Sequence, residues 1–166
     1  MNIIWLGHGS FRIEIEDQIL LVDPWLTGNP MLEQSNYDTA LDGTTQILVT
    51  HGHFDHTQDL IMVAQKTGAP VAGMVELMGY FGAQGVKNTT GFNKGGTISC
   101  GKVAVTMVPA SHSSSVDGDN GPVYMGAEVG FMIKGEGRTI YFSGDTGIMA
   151  DMEWMGDYHK PDIGIL

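Results

Sequence analysis

Three histidines and an aspartate fall within six residues, in Thr50-His51-Gly52-His53-Phe54-Asp55-His56. Residues two apart in an extended segment point the same way, so His51 and His53 can grip one cation. Asp55 and His56 follow at the start of a helical pattern and can reach a second cation beside the first. Imidazoles with a carboxylate suit zinc, manganese or iron better than magnesium or calcium. A solvated surface cluster would not be expected here, because the run follows a short buried strand and precedes a helix.

Two later residues gain meaning from this cluster. His112 lies in Pro109-Ala110-Ser111-His112-Ser113, just after an apolar strand pattern. By itself a loop histidine is a solvated residue. Asp145 follows another apolar strand, in Phe142-Ser143-Gly144-Asp145-Thr146. By itself it would serve as a turn residue or helix cap. Both stand at strand ends, where a site between two sheets would be built. Ser111, Ser113, Ser114 and Ser115 form a loop cluster without the strand–elbow–helix pattern of a serine nucleophile.

The elements that must position these residues can be read from periodicity. Ile3 to Leu6 is a short strand feeding Gly7-His8-Gly9-Ser10. Phe11, Ile13 and Ile15 alternate with Arg12, Glu14 and Glu16, which is the period of a half-buried strand. A turn at Asp17-Gln18 returns the chain through Ile19 to Val22, stopped by Asp23-Pro24. The segment Trp25 to Asp42 is irregular and could cover a site. Ile47 to Val49 is a buried strand. A helix follows in which Leu60, Val63 and Ala64 share a face and Gly68 is the C-terminal cap. Further strands are expected at Pro70 to Ala72, Thr97 to Ser99, Val103 to Val108, Val129 to Ile133, Thr139 to Phe142 and Ile163 to Leu166. A short helix is expected over Val75 to Phe81. Gly135-Glu136-Gly137 marks a hairpin, and Met149, Met152 and Met155 have helical spacing. The segment Ser113 to Gly126 reads as a loop, without repeats or linkers on either side.

Composition bounds the answer. The chain has 166 residues, 42% hydrophobic and 16% charged, so one domain with a sizeable core is expected over 1–166. Eight basic against 19 acidic residues give a formal charge of -11, which argues against nucleic acid and anionic membranes as partners. A small-molecule substrate is the expected partner. Cys100 is the lone cysteine, and there is neither a basic, apolar leader nor a run of about 20 apolar residues. A cytoplasmic location is therefore expected. The chain ends on an apolar strand, which reads as a C-terminal truncation. Self-association through the strand near Leu166, giving a homo-oligomer, is expected with it.

The His-x-His-x-Asp-His run, the later strand-end histidine and Ser-Gly-Asp-Thr resemble, in that order, the metallo-β-lactamase superfamily. The openings Trp5-Leu6-Gly7-His8-Gly9-Ser10-Phe11 and Leu21-Val22-Asp23-Pro24-Trp25-Leu26-Thr27-Gly28-Asn29-Pro30 are similar to its branch of metal-dependent hydrolases related to the ascorbate-6-phosphate lactonases. The resemblance runs from Asn2 to Leu166. It implies an α/β fold, the αββα four-layer sandwich, lacking its C-terminal part. It also implies two divalent metal ions, zinc first, with manganese or iron as alternatives. His51, His53 and His112 would hold one ion, Asp55 and His56 the other, with Asp145 bridging. His8 would be a substrate contact or outer-shell group. The superfamily's final histidine for the second ion has no counterpart after Asp145, since His159 lies in a polar stretch.

The implied function is hydrolysis of an ester, lactone or phosphodiester bond of a small molecule by a metal-bound hydroxide. A bound divalent cation lowers the pKa of its water to about 7. Asp55 would orient the nucleophile and pass its proton to the leaving group. Three alternatives belong to other classes: a non-catalytic metal-binding fragment, a di-iron redox protein of the same fold, and an RNA-processing nuclease, the last opposed by the charge.

Overall fold

The computed structural model describes residues 1–166 and builds them around two facing sheets. The first opens as a meander of β1 (Asn2–Gly7), β2 (Ser10–Ile15) and β3 (Gln18–Val22). It continues in parallel through β4 (Gln46–Leu48), β5 (Val71–Met74) and β6 (Thr89–Phe92). Parallel neighbours need crossovers, and helices supply them. These are α1 (Tyr37–Leu41), α2 (Phe54–Thr57) with α3 (Leu60–Thr67), and α4 (Val75–Ala83).

The second sheet holds β7 (Thr97–Cys100), β8 (Val103–Pro109), β11 (Val129–Gly135), β12 (Arg138–Phe142) and β13 (Ile163–Ile165), in the order β13-β12-β11-β8-β7. Between β8 and β11, β9 (Ser115–Gly118) and β10 (Gly121–Tyr124) form a separate two-stranded ribbon. Helix α5 (Asp151–His159) lies between β12 and β13 in the chain.

Alternation along the second sheet assigns its two faces. Val105, Met107, Phe131, Ile133, Ile140 and Phe142 join a core of 34 buried residues shared with the first sheet. Their neighbours Val108, Met132 and Tyr141 point the other way and pack with Met155 of α5, flanked by Met149 and Met152. Helices thus cover the outside of both sheets, which is the αββα arrangement of the metallo-β-lactamase fold. No helix is long and apolar enough to cross a membrane.

Most element expectations hold. The Gly68 backbone is left-handed (φ 71°) and its N–H donates to the carbonyl of Ala64, closing α3. Glu136 and Gly137, both at positive φ, form the two-residue hairpin between β11 and β12. Four differences are informative. The β2–β3 turn is Glu16-Asp17, one residue earlier than the Asp17-Gln18 expected, because Gln18 already pairs with Ile15. The segment Trp25 to Asp42 is not wholly irregular, since it contains a 3-10 turn at Gln34–Asn36 and helix α1. Strand β6 was not expected and is held by pairing to β5. The segment Ser113 to Gly126 carries the β9–β10 ribbon. Neither β6 nor the ribbon has clean apolar alternation, so periodicity leaves them silent.

Candidate metal centre

In the first sheet β1 and β3 run in the same direction and β4 is parallel to β3; in the second, β8 and β12 run in the same direction. The chain therefore leaves all five strands at matching ends. His8 follows β1, Asp23 follows β3, His51 and His53 follow β4, His112 follows β8 and Asp145 follows β12. A hydrogen bond from Val129 N–H to the Thr50 carbonyl (3.1 Å) ties the two sheet ends together.

His51, His53 and His112 converge as expected, each offering a nitrogen within 4.8 Å of the others. His51 Nε2 lies 3.0 Å and His112 Nε2 lies 3.3 Å from His53 Nδ1. The outer partner of His51 assigns its tautomer. His51 Nδ1 sits 3.0 Å from the Thr50 hydroxyl, which itself donates to Asp23 and so accepts from His51. His53 Nε2 lies 3.2 Å from the Ser113 hydroxyl. The three inner nitrogens, His51 Nε2, His53 Nδ1 and His112 Nε2, face one another.

His8, Asp55 and His56 form the second convergent group. His8 Nε2 is 2.7 Å from Asp55 Oδ2, so His8 stands beside this group. Asp145 spans the two groups, with Oδ1 3.5 Å from His56 Nε2 and Oδ2 3.8 Å from His112 Nε2. His159, in the last turn of α5, takes no part; its ring packs beside Tyr158 and Trp154.

Two residues that the motif did not reveal hold the arrangement. Asp23 is completely buried and accepts from the Thr50 N–H (2.8 Å), the Thr50 hydroxyl (2.5 Å) and His56 Nδ1 (2.9 Å). One carboxylate thereby orients one imidazole of each group, directly for His56 and through Thr50 for His51. In the sequence Asp23 showed only as the strand stop Asp23-Pro24 and as part of the run from Leu21 to Pro30. Asp59, also buried, accepts from the N–H groups of Leu26 and Thr27 (2.7 Å each) and from the Thr27 hydroxyl (2.7 Å). It pins the loop that follows Asp23. Gly9 is required by proximity, since a Cβ there would lie 2.7 Å from His56 Cε1.

The electrostatics follow from burial and these carboxylates. Burial, then the neighbouring His56, presses the His51 imidazole down to about 4. Burial alone would lower His56 as well, but Asp23 and Asp145 carry it up to about 10. His56 beside it holds Asp145 well below the usual carboxylate range. The His56 Nε2 atom is buried and has no hydrogen-bond partner. A wholly buried imidazole nitrogen without a partner, with two carboxylates 3.5 and 4.0 Å away, is an incomplete coordination shell in its chemistry. Together with three facing imidazole nitrogens, these residues fit divalent cations of the zinc type.

Residues 18–166 match the β-lactamase superfamily domain. A UPF0173 metal-dependent hydrolase of Dinoroseobacter shibae is 59% identical over 166 residues, covering 100% of this chain and 72% of its own. One from Ruegeria is 56% identical with the same coverage. The chain belongs to the UPF0173 metal-dependent hydrolases of the β-lactamase superfamily. Among solved structures, Igni18, a metallo hydrolase of Ignicoccus hospitalis, superposes on the hydrolase with a TM-score of 0.84 at 28% identity, covering 99% of this chain and 69% of that one. An isothiocyanate hydrolase from Delia radicum gut bacteria shares the fold (TM-score 0.76, 20% identity, 100% of this chain and 70% of that one).

Proposed function

We propose that the hydrolase cleaves an ester, lactone or phosphodiester bond of a small molecule at a binuclear zinc centre. His51, His53 and His112 would hold one ion. Asp55 and His56, with His8 beside them, would hold the other, and Asp145 would touch both. The observation that carries this reading is the buried, partnerless His56 Nε2 facing two carboxylates. Bound divalent cations supply a water acidic enough to lose its proton near neutral pH, and a positive charge for the developing oxyanion.

The chain's own groups do the rest. Asp23 and Thr50 keep His56 and His51 in the tautomers that present Nε2 inward. The Asp55 carboxylate, on the first turn of α2, accepts the proton of the attacking water and returns it to the leaving group. His8 Nε2, 2.7 Å from Asp55 Oδ2, holds that carboxylate in place. No side-chain nucleophile is needed, and Ser113 and Ser114 are occupied with His53 and the Gly52 N–H.

Elemental analysis of the purified chain tests the centre. About two zinc ions per chain are expected, falling in His56→Ala and His112→Ala. Iron in place of zinc would move the assignment to redox chemistry. No bound metal after loading would sink the reading.

A further inference from the structure

Resting on that reading, we propose that Trp25 and Phe54 form a rigid aromatic shelf that seats an uncharged, apolar group of the substrate. Trp25 packs edge-on to His8 (centroids 5.4 Å apart) and to Phe54 (6.1 Å), so the shelf adjoins the Asp55–His56 side of the centre. Phe54 stands between His53 and Asp55 in sequence, yet its ring is 59% exposed. A large apolar ring at the start of a site helix that buries so little of itself contributes little to folding. Its free face is available to a ligand.

The shelf is fixed before anything binds. The Trp25 indole N–H donates to the Thr27 carbonyl (2.8 Å), which leaves only its apolar faces for contact. The Asp59 carboxylate clamps Leu26 and Thr27, the Tyr37 hydroxyl donates to the Leu26 carbonyl (2.6 Å), and Asn29 donates to the Trp25 carbonyl (3.0 Å). A rigid aromatic surface loses little entropy on binding.

Charge selects the same class of ligand. The cavity beside His8 and Asp145, about 320 Å³, is lined in part by Trp5, Phe11 and Phe142 and by no lysine or arginine. Arg12, in the neighbouring strand, is turned to Glu14 and to the carbonyls of Ala40 and Asp42. A charged group on the substrate would meet no cationic side chain in this cavity, whereas an alkyl or aryl group would meet Trp5, Phe11 and Phe142 within it and Trp25 and Phe54 on the other side of His8. Within the reading above, this favours an apolar group on the part of the substrate that lies away from the ions, whichever bond is cleaved.

The test is calorimetric titration of the zinc-loaded chain with three hydroxamates that share one metal-binding head: acetohydroxamate, 4-phenylbutyrohydroxamate and the anionic succinic monohydroxamate. The phenylbutyryl compound should bind at least about tenfold more tightly than either the acetyl or the succinyl one. Phe54→Ala and Trp25→Ala should reduce the phenylbutyryl preference to about threefold or less, and Phe54→Leu should keep part of it. Phe54→Ala removes an exposed ring, so folding is not at risk, and its zinc content is measured alongside. Equal wild-type affinities for the phenylbutyryl and acetyl compounds, or a preference that both alanine variants retain, would overturn the shelf. If acetohydroxamate itself fails to bind the zinc-loaded chain, the metal-centre reading fails and the shelf falls with it.

Discussion

Asp23 illustrates how one buried side chain governs a site it need not touch chemically. Its oxygens are taken by the Thr50 N–H, the Thr50 hydroxyl and His56 Nδ1. Replacement by alanine would strand these donors in the interior, at a cost of about 3 kcal/mol. In a chain of this size that corresponds to a fall in Tm of about 10 °C. Asp23→Ala should also lose the ion at the His56 side, read as a drop in zinc per chain. An unchanged Tm with full zinc would show that Asp23 is dispensable. The imidazoles set a pH dependence for the ion-free protein as well. His56 is raised to about 10, so its contribution is complete below its ordinary value of 6.5 and is lost as pH climbs through 10. His51 is lowered to about 4, so its contribution is present above 6.5 and is lost as pH falls through 4. With chelator present, the urea midpoint should peak near pH 6.5 and decline on both sides. A flat profile from pH 4 to 10 would contradict this. Since His56 must shed its proton to ligate, zinc should bind more tightly as pH rises.

The elements differ in how firmly they are held. Strand β12 is buried on both faces, Ile140 and Phe142 toward the main core and Tyr141 toward α5. The Tyr141 hydroxyl is buried without a partner, and burial raises its pKa. Removing an unsatisfied buried hydroxyl relieves a desolvation penalty, so Tyr141→Phe should stabilise the protein by about 1 kcal/mol. Chemical denaturation measures it, and a loss of stability would reveal a hidden partner. Patterns set by one element alone were legible in the chain: the alternation of β2, the Gly68 cap of α3, the Glu136-Gly137 turn and the methionine stripe of α5. Strand β6 and the β9–β10 ribbon were not, because their residues become strands by pairing rather than by burying one face. All four residues of β10 are exposed.

For the whole molecule, the free edge of β13 is the most consequential surface. It pairs only with β12, and Ile163 and Ile165 on it are half-buried. An unpaired apolar edge is a template for a second strand, and we propose that copies of this chain associate there. The net charge of -11 opposes that association. Salt screens such repulsion, with a Debye length of about 10 Å at 0.1 M and 3 Å at 1 M. Light scattering should therefore show larger species at high salt than at low, and Ile165→Lys should abolish them. A monomer at every salt concentration would rule the contact out.

The sequence alone determined the chemistry of the cluster. His51, His53, Asp55 and His56 lie within six residues, and backbone geometry brings such neighbours together in any strand–loop–helix setting. It also determined the strands that end at His112 and Asp145, because apolar patterning is a local property, while the fold class came with the resemblance of its motifs to the metallo-β-lactamase superfamily. The partners across the chain were decided by folding. Asp23 lies 27 residues from Thr50 and 33 from His56, and reaches both because β3 pairs in parallel with β4. His8 meets Asp55 for the same kind of reason, since β1 runs in the same direction as β3 across β2 and ends at the same end of the sheet. The aromatic shelf likewise exists only after Asp59 draws the Trp25 loop onto the helix that carries Phe54. Register between distant strands depends on the packing of the complete core, which no short window of residues contains.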